Sequence, residues 1–160
     1  RARLPVEVLA QGPLPGMLLE HCVLATAKNT LGPEACARAC LPGPAFLEDA
    51  AGHRYPLVCD RRCRNHLYTA TDICILPNLL RMLTNRVCRL RLECQLDTVE
   101  TVHTIVGIYR AALDSVAEGQ TADVNAQIEQ ITSATGRPVS DGPFDFQTFI
   151  RRKERDLVRS

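Results

Sequence analysis

The chain has 160 residues, 46% of them hydrophobic and 23% charged, with a formal net charge of +1. That is enough polymer for one domain with a sizeable core, and the balance is that of a soluble globular protein. Near-neutral charge excludes an overall electrostatic footprint for nucleic acid, and no apolar run approaches the roughly 20 residues of a membrane-spanning helix.

In chain order, Leu4 to Ala10 reads as a short apolar strand, which Gly12, Pro13, Pro15 and Gly16 break at once. Met17 to Lys28 reads as a short helix carrying Cys22. The stretch from Cys22 to Cys63 then holds five of the eight cysteines, with two C-x3-C pairs, Cys36/Cys40 and Cys59/Cys63. Between the pairs lie the Pro/Gly segment Leu41-Pro42-Gly43-Pro44 and Phe46 to Val58, read as two short strands about a turn at Ala51-Gly52. A loop-rich segment with this many thiols needs a cross-link: disulfides, zinc or an iron–sulfur cluster.

Leu67 to Leu76 is a β-prone run, and Pro77 opens a short helix through Leu83 in the tolerated first-turn position. Val87 to Cys94 alternates apolar residues with Arg89 and Arg91, the period of a strand with one polar face. Asp97 with Glu100 resembles a capping box. The helix that follows carries Val99, Val102, Ile105, Val106, Tyr109, Ala112, Leu113 and Val116 at spacings of three and four, with Gly119 as its stop. Asp123 to Ala134 is a second, weaker helix ended by Gly136 and Pro138, and Phe144 to Ser160 reads as a frayed helix.

Short helices alternating with strands suggest parallel βα units. About three strands neither close a barrel nor cover a parallel sheet on both faces. The expected fold is therefore an incomplete α/β domain whose strand edges call for a missing N-terminal region or a partner chain. The start at Arg1 instead of Met fits a processed chain or a piece of a longer one.

Cys74, Cys88 and Cys94 sit in apolar, strand-like runs and are expected as buried thiols. With the other five spaced like ligands, the set fits a reducing, cytoplasmic compartment with a metal site better than four disulfides. Zinc and iron–sulfur clusters both accept four thiolates, and spacing does not separate them. His21 and His53 are expected in polar surface contacts, and His103 on the exposed side of the long helix. The basic runs Arg61-Arg62 with Arg64, and Arg151-Arg152-Lys153, read as solvated charge.

Several motifs in order resemble the collagenase-like peptidase family, also called peptidase family U thirty-two. They are Gly12-Pro13-Leu14-Pro15, then Glu20-His21-Cys22-Val23-Leu24, then the Cys36/Cys40 pair. After them come Asp60, Cys63, Arg64 and His66, then Asp72-Ile73-Cys74-Ile75, Leu90-Arg91-Leu92-Glu93, and Tyr109 to Leu113. The resemblance covers roughly Val6 to Asp114. It implies the C-terminal part of a βα TIM-type barrel with a cysteine-rich inserted subdomain at about 20–66, the barrel portion spanning 1–118 and a helical extension and tail 119–160. It also implies a four-iron four-sulfur cluster on Cys22, Cys36, Cys40 and Cys63, with zinc as the alternative and Cys59 as a fifth candidate thiol.

The family takes its name from peptidase activity, while other relatives support oxygen-independent hydroxylation of RNA bases or of a quinone precursor. The implied partners are thus RNA or a small aromatic substrate, and a chain that completes the barrel. The candidate catalytic residues are Glu93, His66 and Arg64. Glu93 ends a strand, where βα barrels place their active sites; the plainer reading is an ion pair with Arg89 or Arg91. His66 and Arg64 can contact substrate or cluster, or simply orient their loop. Three departures stand out: Glu93 is followed by Cys94-Gln95 where the family has Gly-Arg, Thr69-Ala70 stand for Asn-Ser, and the first half of the expected barrel is absent from this sequence. No His-Glu-x-x-His run, Gly-x-Ser-x-Gly elbow or triad-like serine supports peptidase chemistry.

Overall fold

A computed structural model describes residues 4–27, 44–120 and 122–142. The chain divides into two compact units, one built from Arg1–Gly12 and Thr71–Ser160, the other from Pro13–Ala70. Strands β1 (Val6–Leu19) and β4 (Asn65–Cys74) each contribute to both units.

In the first unit, β1 pairs in parallel with β5 (Val87–Leu92), with Val8 opposite Leu90 and Leu9 opposite Arg91. The helix α2 (Leu79–Thr84), entered through a 3-10 turn at Leu76–Asn78, precedes β5. Pro77 lies in that turn, where its missing N–H costs nothing. The end of β4 pairs in parallel with the short β6 (Val139–Ser140), Asp72 opposite Val139. The long helix α3 (Val99–Ala117) buries Thr101, Ile105, Ile108, Tyr109 and Ala112; of the expected stripe Ile105, Tyr109 and Ala112 are in it, whereas Val99 and Val106 are exposed, so the buried face is rotated toward Thr101 and Ile108. The core combines these with Ala10, Ile73, Cys74, Ile75, Leu76, Leu79 and Ile131, the last from α4 (Val124–Thr135). Tyr109 Oη donates to the Ala10 carbonyl at 2.6 Å, and Thr101 Oγ1 donates to the Ala134 carbonyl at 3.2 Å. His103 is exposed, as expected. Among the described residues no helix is long and apolar enough to cross a membrane.

In the second unit, β2 (Ala45–Glu48) and β3 (Arg54–Cys59) form the expected hairpin, antiparallel with Phe46 opposite Pro56. Arg54 lies over the Phe46 ring, 4.2 Å from its centroid. β3 pairs antiparallel with the start of β4, Cys59 opposite Asn65. Helix α1 (Val23–Ala27) is a single short turn.

Several expectations are corrected. Among the described residues there are six strands; β2/β3 and β3/β4 pair antiparallel and β1/β5 and β4/β6 parallel, so the sheet is mixed and not a run of parallel βα units. β1 does not stop at Ala10: it runs through Gly12, Pro13, Pro15 and Gly16 to Leu19, which also removes Met17, Leu18 and Leu19 from the expected helix. Proline is compatible with extended backbone; what it lacks is a donor. The intervening Leu14 N–H is supplied with an acceptor by Thr69 Oγ1 at 2.9 Å. The N-cap of α3 is Thr98, which accepts from Thr101 N–H, because Asp97 is drawn into an ion pair described below. Of the three thiols expected to be buried, Cys74 is, whereas Cys88 is exposed and Cys94 half-buried. The segment 144–160 lies outside the described residues, as do Cys36 and Cys40.

Among the described glycines, Gly12 has the least room for a side chain. Its φ is +114°, and a Cβ there would collide with the Glu93 carbonyl oxygen and lie 3.0 Å from Glu93 Cβ. Gly12→Ala is therefore expected to cost about 2 kcal/mol or more through left-handed strain and backbone overlap. Gly107, inside α3 with nothing within 4 Å, is the control: its alanine variant is expected to gain about 0.5–1 kcal/mol. Urea-unfolding midpoints of the two variants check both signs.

Candidate functional site

Of the described cysteines, Cys22, Cys59 and Cys63 lie in the second unit. Residues Asp60 to Arg64 form a turn closed by Asp60 N–H to the Arg64 carbonyl at 2.9 Å and Cys63 N–H to the Asp60 carbonyl at 3.1 Å. The Asp60 carboxylate sits at its centre. Oδ1 accepts from the backbone N–H groups of Arg62 at 2.8 Å and Arg64 at 3.0 Å. Oδ2 takes the Arg64 guanidinium at 2.7 Å and His66 Nε2 at 3.2 Å. The Arg64 bond is the largest of the causes that hold this carboxyl well below the usual carboxylate range. Asp60 thus fixes Arg64 and His66, the two residues expected to act beside the cysteines.

At the apex Cys63 adopts φ +60°, a left-handed conformation that non-glycine residues rarely hold. Its side chain is exposed. Backbone strain of this kind persists only when the surrounding bonds over-determine it, and here the Asp60 carboxylate supplies them.

Cys22, distant in sequence, is tied to the same turn. Asn65 Oδ1 accepts from Val23 N–H at 2.8 Å, a bond across 42 positions. The other arm of Asn65, Nδ2, donates to Cys59 Sγ at 2.9 Å. Cys22 and Cys59 are half-buried, and Asn65 is fully buried. The structure therefore ties the segment bearing Cys22 to the strand ends that flank Cys63. Of the other two expected ligands, Cys36 and Cys40, it describes nothing. Among the described residues no group of three or more His, Cys, Asp or Glu side chains is placed to hold a metal ion. His21 bonds Thr26 Oγ1 at 2.6 Å, and His53 pairs with Asp49 at 2.9 Å at the hairpin tip, both in polar surface contacts as expected.

Glu93 belongs to the first unit. It follows β5, its N–H donates to the Gln11 carbonyl at 2.8 Å, and its carboxylate pairs with Arg91 Nε at 3.0 Å. The plainer reading of Glu93, an ion pair with a neighbouring arginine, is thus realised, although the side chain keeps a third of its surface exposed.

The first unit also holds a buried charge cluster that sequence reasoning missed. Arg137 Nε and one terminal nitrogen bond the two oxygens of Asp72 at 2.8 and 2.9 Å, and the same terminal nitrogen bonds Asp97 Oδ1 at 2.7 Å. The side chains of Asp72 and Asp97 are 0% and 1% exposed, and that of Arg137 13%. Burial pushes the Asp72 carboxyl up, against the Arg137 bonds that pull it down. The signal available in the sequence was a lone aspartate inside the apolar run Leu67 to Leu76: a charge so placed requires a buried partner. Nothing marked Arg137 as that partner.

A family model described as peptidase family U32 matches residues 1–153. No curated protein and no solved structure matches the chain.

Removing the guanidinium leaves two buried carboxylates without a cation. Arg137→Met is expected to destabilise by about 3–5 kcal/mol at neutral pH. The folded-state pKa of Asp72 is raised, so the stability linked to it is full below the unfolded value and declines as pH rises through the folded one. Loss of Arg137 enlarges that decline. The penalty of the variant is accordingly expected to shrink as pH falls toward the ordinary carboxyl value of 3.8, which paired denaturation curves across pH will check.

Proposed function

Because the chain belongs to peptidase family U32, we propose that it is an iron–sulfur protein whose four-iron four-sulfur cluster is held by Cys22, Cys36, Cys40 and Cys63. The observation that carries this reading is the Val23–Asn65 bond, which binds the Cys22 segment to the turn that presents Cys63. The donors described fit such a group: they are thiols on loops, one half-buried and one exposed, and thiolate is the ligand that clusters take. A cluster would supply one-electron redox chemistry. The chain's own residues supply its setting, with Arg64 and His66 held beside Cys63 by Asp60.

In this reading the protein supports oxygen-independent hydroxylation of RNA bases or of a quinone precursor in a reducing, cytoplasmic setting. Glu93, at the carboxyl end of a strand, contributes to the substrate pocket of a βα barrel of which this chain is the C-terminal part. The parallel β1/β5 pair with α2 between them in sequence supports that architecture, as does β5, which among the described residues pairs only with β1. A strand left with one open edge favours a companion chain or segment that continues the sheet.

Anaerobically purified protein is expected to be brown and to carry about four iron and four sulfide per chain by the cluster stoichiometry. Cys22→Ser is expected to lose most of both. Colourless protein with one zinc per chain would replace the cluster by the zinc alternative.

A further inference from the structure

The antiparallel strands of the second unit turn one side outward. In the β2/β3 ladder Phe46 stands opposite Pro56 and Glu48 opposite Arg54, and in the β3/β4 ladder Val58 stands opposite His66. Residues paired across a ladder share a face, and alternate residues along a strand return to it. Phe46, Arg54, Val58 and His66 therefore lie on one side, while Leu57, on the other, is buried. Phe46 is 39% exposed, Val58 40% and the His66 side chain 36%.

Two features of this side point to the same kind of ligand. The first is the Arg54 guanidinium over the Phe46 ring, 4.2 Å from its centroid. Aromatic rings and arginine planes are the surfaces on which the unstacked bases of single-stranded RNA lie, because every base has a flat π face. The second is charge. At the far end of β3, about 17 Å along the strand from Arg54, the Asp60–Arg64 turn adds Arg61 and Arg62, both exposed. The Asp60 carboxylate is committed to Arg64 and His66, so three arginines there face one aspartate. Glu48, opposite Arg54, offsets one charge at the other end. The chain's near-neutral net charge leaves room only for a local footprint, and this turn supplies one. An acidic peptide would meet the arginines but leave the Arg54–Phe46 stack unused.

We propose that this sheet face is a docking surface for single-stranded RNA, with a base stacked on the Arg54–Phe46 pair and phosphates at Arg61 and Arg62. The inference rests on the substrate half of the reading above, where it favours RNA over the quinone precursor, and it does not depend on the cluster.

Fluorescence anisotropy of a labelled oligouridylate, with a labelled RNA duplex as comparison, tests it on the 160-residue chain. The single strand is expected to bind more tightly than the duplex. Phe46→Ala is expected to weaken it by roughly 5- to 150-fold, the range for losing one stacked base, and Phe46→Tyr to keep wild-type affinity. Arg61→Gln combined with Arg62→Gln is expected to lower the slope of log affinity against log salt by about 1.4, at roughly 0.7 per phosphate contact on a single strand. Urea midpoints check folding; if Phe46→Ala does not fold, Arg54→Gln, which leaves the ring in place, is expected to weaken binding and decides. Wild-type protein that ignores the strand, equal affinity for strand and duplex, wild-type affinity in a folded Phe46→Ala, or an unchanged salt slope in the double arginine variant would each overturn the proposal. Iron analysis of the same preparation keeps the two readings apart: protein that binds oligouridylate but holds no iron would overturn the cluster reading and leave this one standing.

Discussion

One guanidinium neutralising two carboxylates from which water is excluded is the constraint on which the first unit depends. Asp72 lies on β4, Asp97 just before α3, and Arg137 between α4 and β6. The bonds to Arg137 therefore fix where the chain leaves one element and enters the next. Burial of the three charges is costly in itself, and such a cluster adds little net stability over an apolar one of equal volume. An unpaired buried carboxylate would cost far more than the paired ones here. The same demand explains why Asp97 does not cap α3. A carboxylate committed to a buried cation is not available to a helix N-terminus, and Thr98 takes the role.

The second unit works on a different physical basis. Little of its described part is deeply buried: among the described residues Leu57 and Asn65 are its fully or nearly fully buried apolar and polar side chains outside the prolines. Order there comes from hydrogen bonds that converge on two side chains. Asp60 gathers Arg62, Arg64 and His66, and Asn65 gathers Val23 and Cys59. A loop of this kind stays polar and open while its geometry is held, which suits a segment meant to present thiols. The left-handed Cys63 is a product of that arrangement, since the turn closed on the Asp60 carboxylate leaves it no relaxed alternative.

Unit two holds Cys63 and Arg64 on one turn, with His66 on the strand that follows; unit one holds Glu93 and the buried charge cluster. The sequence has none of the nucleophile–base or metal-hydrolase patterns that a peptidase needs, so the family's peptidase label finds no local counterpart.

Much of the fold was legible because its signals are local. The existence of α3, the hairpin about Ala51-Gly52, the alternation of β5 and the stop signals at Gly119 and Gly136 are each written within a few residues and were met in the structure, although the buried face of α3 takes Thr101 and Ile108 in place of Val99 and Val106. Family membership was legible too, from motifs carried in order along the chain. What the tertiary structure decided is what depends on partners far apart in sequence. Leu14 finds Thr69, so prolines that look like breakers lie inside a strand. Arg137 finds Asp72 and Asp97, so a cap moves by one residue. Asn65 finds Val23 and Cys59, so an unremarked asparagine becomes the link between cysteine segments. Spacing and periodicity report the geometry of one element at a time, whereas a buried polar group chooses its partner from whatever the folded chain brings within reach, and no local pattern encodes that choice.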